Sequence, residues 1–196
     1  MLHIRSVLGS TRVLGIDPGS RVVGWGMVEP GGPGLRHLGH GVLRLDASAP
    51  LELRLVELFA RLSETLLRHA PTAVAVEGVF TFRNARSALV LGQARGVALL
   101  VAARAGLPVF EYAPAVVKRA MGVGGAGPKD AVGRAVSTFL GLEGAPAADA
   151  TDALAVAVCH LHRAASPLGS RRTRRTVPDL ASRLRPAVHR PARSGA

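Results

Sequence analysis

The sequence predicts an α/β domain: a mixed sheet of about five strands with helices on both faces. Three observations predict it. Short Val-rich apolar runs are too brief for helices, longer runs repeat apolar residues every three to four positions, and Pro/Gly breaks separate the two kinds.

Along the chain, "RVLGIDPGSRVVGWGMVE" reads as two short strands joined at "DPGS", where Pro, Gly and Ser supply turn chemistry. After "EPGGPG" a third strand runs from Leu35 to Leu45, completing an antiparallel meander. "LELRLVELFARLSETLLRH" places Leu51, Leu55, Leu58, Leu62 and Leu66 on one helical stripe. "TAVAVEGVF" is a buried strand ending in Glu77, and "SALVLGQARGVALLVAARAG" is a long helix whose Gly92 and Gly96 permit close helix approach. "PVFEY" is a strand and "PAVVKRAM" a helix opened by Pro114. The glycine loop "GVGGAGPK" leads into the helix "DAVGRAVSTFLGL", and a last apolar helix closes the domain near Ala165. Residues 12–165 are expected to form this domain. From Ser166 to Ala196 hydrophobic periodicity ends, Arg, Pro and Ser dominate, and Asp179 is the lone acid, which predicts a disordered basic tail.

The chain has 196 residues, 48% of them hydrophobic, enough for a real core, and a formal charge of +12. That excess points to a polyanionic partner, most simply nucleic acid. Arginine accounts for nearly all of it, since Lys118 and Lys129 are the only lysines. Cys159 is the sole cysteine, which excludes an intrachain disulfide and a cysteine-rich zinc site and fits a reducing cytoplasm. Met1 to Arg12 lacks the pattern of a secretory signal, and no segment reaches roughly 18 uninterrupted apolar residues, so no membrane partner is expected.

The chemistry lies in four acids. Asp149 and Asp152, three apart at the mouth of the last helix, share one face. By themselves they fit either a helix cap or one wall of a metal site. Asp17 ends the apolar strand "VLGI" and Glu77 ends "AVAV". An ionised carboxylate beside a buried strand is costly unless something satisfies it. If the two strands are neighbours in the sheet centre, their acids meet at one edge, and the last helix can bring Asp149 and Asp152 against them. Four such carboxylates repel one another without a cation. Hard oxygen ligands lacking His or Cys select Mg²⁺, with Mn²⁺ able to substitute. Two ions about 3.5 to 4 Å apart are standard machinery for phosphodiester hydrolysis.

With those residues in place, the sequence resembles the RuvC family of Holliday junction endonucleases, which has the ribonuclease H-like fold. The resemblance rests on "LGIDPGSRVVGWG", "AVEGVF", "NARSALVLGQARGVAL", "PVFEYAPAVVK" and "ADATDALAVA", in the family's order over about residues 13–165. It implies that Asp17, Glu77, Asp149 and Asp152 are the catalytic, metal-binding acids. It also implies a homodimer that nicks opposing strands of four-way junction DNA symmetrically with Mg²⁺, and partnership with RuvA and RuvB. By the same resemblance the helix with Gly92 and Gly96 is the dimer contact, Phe80 stacks on a base, and Lys118 and Lys129 lie near DNA. Arg83, Arg86 and Arg95 are expected near DNA or the dimer interface. Gly78 departs from the family, where a polar side chain is common.

Two other readings of the motifs fail on the sequence. "GIDPGSRVVGWG" is also similar to the phosphate hairpin of sugar kinases and actin, but a second hairpin and an adenosine motif are missing. "GVGGAGPKDA" is not a P-loop, because Pro128 intervenes before Lys129 and no Ser or Thr follows. A non-catalytic junction-binding module, its acids mere caps, remains as an alternative to the nuclease. His160 and His162, two apart on a helix, point to different faces and are expected at the surface.

Overall fold

The computed structural model describes residues 11–78, 85–124, 130–144 and 146–165. Phe80, Arg83, Lys129, the tail and the side chain of Arg86 lie outside the described residues.

The strands are β1 (Val13–Asp17), β2 (Val22–Gly31), β3 (Gly34–Arg44), β4 (Ala73–Glu77) and β5 (Val109–Tyr112). The helices are α1 (Leu51–His69), α2 (Ala85–Arg104), α3 (Pro114–Ala120), α4 (Ala131–Leu140) and α5 (Ala148–Ala165). Sheet order is β3-β2-β1-β4-β5. The meander β1-β2-β3 is antiparallel, whereas β4 and β5 join parallel to β1. This is the expected mixed five-stranded sheet. β1 sits at its centre, and the carboxyl ends of β1 and β4 lie at one edge.

Alternate residues of a strand face opposite sides, and the core divides accordingly. Leu14, Ile16, Val74 and Val76 pack with Leu58, Leu62 and Leu66 of α1 and with Ala94, Ala98 and Val101 of α2. Val13, Ala75 and Tyr112 pack on the other face with Val117 of α3, Val136 of α4 and the run Leu154 to Leu161 of α5. Fully burying a Leu or Val side chain contributes roughly 1.5–3 kcal/mol, so the two layers are the main source of stability.

Among the described residues one segment, Ser87–Arg104 in α2, is long and apolar enough to span a membrane by composition. It contains Arg95, which pairs with Glu111 of β5, and it buries Ala94, Ala98, Val101 and Ala102 in the core. Leu89 and Leu100 remain exposed on its outer side.

Helix α5 is buried on almost every side from Ala153 to Leu161, the pattern of a helix enclosed by a core. His160 is therefore not a surface histidine, contrary to expectation: it is 6% exposed. The helix has no solvent face at that position, so pointing away from His162 does not take it out of the protein.

What allows this enclosure is a glycine track on β1 and β2. A Cβ on Gly15 would lie 1.9 Å from the carbonyl oxygen of Ala153, and one on Gly24 would lie 1.8 Å from that of Asp149. Helix backbone thus rests directly on strand backbone. A methyl group at Gly24 has no flexible side chain to displace. Gly24→Ala is expected to cost about 3 kcal/mol or more in denaturant unfolding, beyond ordinary overpacking. Gly133→Ala in α4, whose added carbon meets only a Thr151 methyl at 3.7 Å, is expected to stabilise by up to about 1 kcal/mol. A neutral Gly24→Ala would show that α5 is free to shift on the sheet.

Candidate active site

The same alternation that divides the core aims the acids. Asp17 continues the row Val13, Gly15 on β1, and Glu77 continues the row Ala73, Ala75 on β4, so both carboxylates lie on the α5 face. The strands run parallel with Ile16 beside Val76, which makes Asp17 and Glu77 neighbours one step further on. Across the other side, Asp17 pairs with Gly24, the glycine that admits the Asp149 backbone. Asp149 stands in the first turn of α5, and Asp152 follows on the same face. The glycine seat and the acids are therefore one feature.

Electrostatics report the same convergence. Burial, then the charges of Glu77, Asp152 and Asp149, push the Asp17 carboxyl up from 3.8 to about 7. Glu77 rises from 4.5 to about 7 through burial and then Asp152, with Lys118 opposing. Asp152 is raised by burial and then by Asp149, again with Lys118 opposing. Asp17 feels the charge of the other three acids, and Lys118, exposed near the end of α3, is a cation facing Glu77 and Asp152. The structure brings these four residues to one sheet edge, with Lys118 beside Glu77 and Asp152.

The donors fit a hard divalent cation: they are all carboxylate oxygens, and burial with neighbouring negative charge raises the carboxyls of Asp17, Glu77 and Asp152, which positive charge between them would offset. Among the described residues no three side chains already converge at coordination distance around one point. Asp17, Glu77, Asp149 and Asp152 are the groups that would hold such an ion.

Beside the acids, a cavity of about 760 Å³ between α4 and the start of α5 is lined by Asp152, Thr151, Arg134 and Ser137. Arg134 is paired with Asp130 at one side of it. Arg95, expected near DNA or a dimer contact, pairs with Glu111 and so ties α2 to β5. Reading of the sequence missed Arg54, whose guanidinium donates to the Ser20 carbonyl at 3.1 Å and so braces the turn directly after Asp17. It also missed the buried pair of Tyr112 and His160, 2.7 Å apart. The tyrosine could have been suspected, since a buried Tyr hydroxyl needs a partner; the pairing itself depends on tertiary packing.

Comparison with known proteins gives a consistent result. Residues 13–160 match the family model "Crossover junction endodeoxyribonuclease RuvC". The chain is 59% identical over 187 residues to the crossover junction endodeoxyribonuclease RuvC of Myxococcus xanthus, covering 92% of this chain and 98% of that one. It is 51% identical to the protein of the same name from Halorhodospira halophila, over 81% of this chain and 94% of the relative. Among solved structures it is similar to Thermus thermophilus RuvC in complex with a Holliday junction substrate, with a TM-score of 0.75 and 38% identity. That match covers 79% of this chain and 95% of the other. The yeast mitochondrial Holliday junction resolvase Ydc2, at 15% identity and a TM-score of 0.52 over 80% of this chain and 82% of that one, shares the fold.

The raised carboxyls set a pH dependence. Asp17 and Glu77 bind protons more tightly folded than unfolded. The stability they contribute is thus full below about pH 4 and lost as pH rises through about 7. In chelator, wild-type melting temperature minus that of an Asp17→Asn/Glu77→Gln variant should fall between pH 5 and 8. Adding Mg²⁺ should raise the wild-type melting temperature more at pH 8 than at pH 5. A flat difference in chelator would mean the acids are not crowded in solution.

Proposed function

The chain belongs to the RuvC family of crossover junction endodeoxyribonucleases, and from that membership we propose that its four-carboxylate pit is where one strand of a Holliday junction is hydrolysed. The enzyme is a Holliday junction resolvase, a DNA-hydrolysing nuclease of recombination and repair. The observation that supports the assignment of residues is the arrival of Asp17, Glu77 and the pair Asp149/Asp152 from three separate elements at one sheet edge, with Asp17 and Glu77 held near pKa 7.

Asp17, Glu77, Asp149 and Asp152 would together hold Mg²⁺, two ions in this proposal; Mn²⁺ has the same preference for oxygen. When bound, the ions supply a water activated at neutral pH and charge stabilisation for the leaving oxygen. The protein's own part is positioning. The carboxylates fix where the phosphate must sit, and Lys118 offers a cation to its oxygens. Arginines spread over the basic surface hold the flanking backbone without reading sequence. Water attacks phosphorus, the 3′ oxygen departs with a proton, and a 5′-phosphate and 3′-hydroxyl remain, ends that a ligase can rejoin.

A homodimer gives the symmetry that a four-way junction requires. The outer side of α2 supports it: Leu89 is 69% and Leu100 50% exposed, and a Cβ added at Gly92 or Gly96 would meet nothing within 4 Å among the described residues. Phe80 and Lys129 keep their proposed roles at the crossover and the DNA backbone, the 12–165 domain and the basic tail their proposed boundary. RuvA and RuvB are proposed partners, and the cytoplasm the proposed compartment.

The test separates chemistry from binding. Asp17→Asn keeps the size of the side chain and removes its charge. Nicking of a four-way junction should fall by about a thousandfold, corresponding to several kcal/mol of lost transition-state stabilisation. Junction affinity in chelator should be unchanged. Equal loss of binding and cutting would make Asp17 a structural residue.

A further inference from the structure

The acids come from two bodies: Asp17 and Glu77 from strand ends, Asp149 and Asp152 from α5. Their separation depends on how α5 is set on the sheet. The glycine track sets the height of α5 over β1 and β2, and apolar packing against β4, α3 and α4 encloses it. A directional contact on the β4/β5 side would fix its rotation within that enclosure.

Tyr112 and His160 are placed to do so. Tyr112 lies beside Glu77 in the parallel register of β5 and β4, and its carbonyl accepts a hydrogen bond from the N–H of Gly78 at 2.8 Å. Its backbone is thus tied to the residue that follows the catalytic glutamate. Its hydroxyl lies 2.7 Å from Nδ1 of His160 on α5. Both side chains are buried, Tyr112 at 4% and His160 at 6% exposure. Phe110, two residues earlier on β5, holds the imidazole plane with ring centres 4.3 Å apart. Burial keeps the imidazole neutral, so one ring nitrogen donates and the other accepts, and the bond persists across the working pH range. His160 follows Asp152 by eight residues, about 12 Å along the helix, too far to touch substrate.

We propose that the Tyr112–His160 hydrogen bond is a positioning device of the active site, fixing the roll of α5 and with it the distance from Glu77 to Asp149 and Asp152. A buried polar bond suits this role because it is directional, whereas apolar packing tolerates small rotations. The inference rests on the metal-binding reading of the four acids. Tyr112 and His160 support the metal ligands through the set of α5, and their loss is expected to weaken metal affinity by about tenfold, the lower end of what direct hydrogen-bond partners of metal ligands give.

Tyr112→Phe removes one oxygen and keeps the ring. Mn²⁺ binding to the full-length protein, followed by calorimetric titration without DNA, should weaken about tenfold or more. The half-saturating Mg²⁺ for nicking should rise in parallel, while junction affinity in chelator stays constant. His160→Asn, whose amide can occupy the place of Nδ1, should recover most of the affinity, and His160→Leu should not. Asp17→Asn is the control. If it binds Mn²⁺ as wild type does, the acids are not the metal site and the inference falls with that reading. If it loses Mn²⁺ while Tyr112→Phe keeps wild-type affinity, the acids stand and the positioning role is overturned. A lowered melting temperature with unshifted metal affinity would likewise reduce the pair to ordinary core packing.

Discussion

Everything in this structure depends on one close approach: the backbone of α5 lying against the backbone of β1 and β2 where Gly15 and Gly24 have no side chains. A strand residue of ordinary size would hold the helix away from the sheet. The glycines remove that distance, and they do so at Asp17's own register partner, Gly24. The enclosure of α5, its continuous burial, and the meeting of Asp149 and Asp152 with Asp17 and Glu77 are consequences of that single contact.

The electrostatic consequence is a cost accepted for function. A protein with formal charge +12 gathers four of its 13 acidic residues in one place, where burial and mutual repulsion push two of them up to about 7. Nothing in folding rewards such a cluster. Elsewhere acids are paired in the ordinary way, as Glu29 is with Arg12 and Arg36 on the hairpin β2-β3, which holds its carboxyl below the usual range. The contrast separates acids that stabilise the fold from acids that the fold must restrain. On the proposed reading it also divides labour: an excess of positive charge for the DNA backbone, and four gathered acids for divalent cations.

Most of the architecture was legible because its signals are local. Short Val-rich apolar runs in "VLGID" and "AVAVE" located the strands and placed an acid at each strand end, and three-residue spacing put Asp149 and Asp152 on one face. Partner choice within the site was less legible. Gly24 reads as an ordinary strand glycine until its helix neighbour is known, and Arg54 reads as a surface charge until the Ser20 carbonyl appears beside it. His160 misled for the same reason. Helical spacing gives direction around an axis, but whether that direction ends in water depends on how many layers surround the helix, and α5 is covered on all sides there. The pairing of Arg95 with Glu111 of β5 likewise depends on tertiary packing.

The most direct measurement is strand-specific nicking of a synthetic four-way junction, in Mg²⁺ and in chelator, beside a linear duplex of the same sequence. The account predicts paired cuts in opposing strands near the crossover, present only with metal, and an intact duplex. Cutting that survives chelation, or that consumes the duplex as fast as the junction, would contradict it.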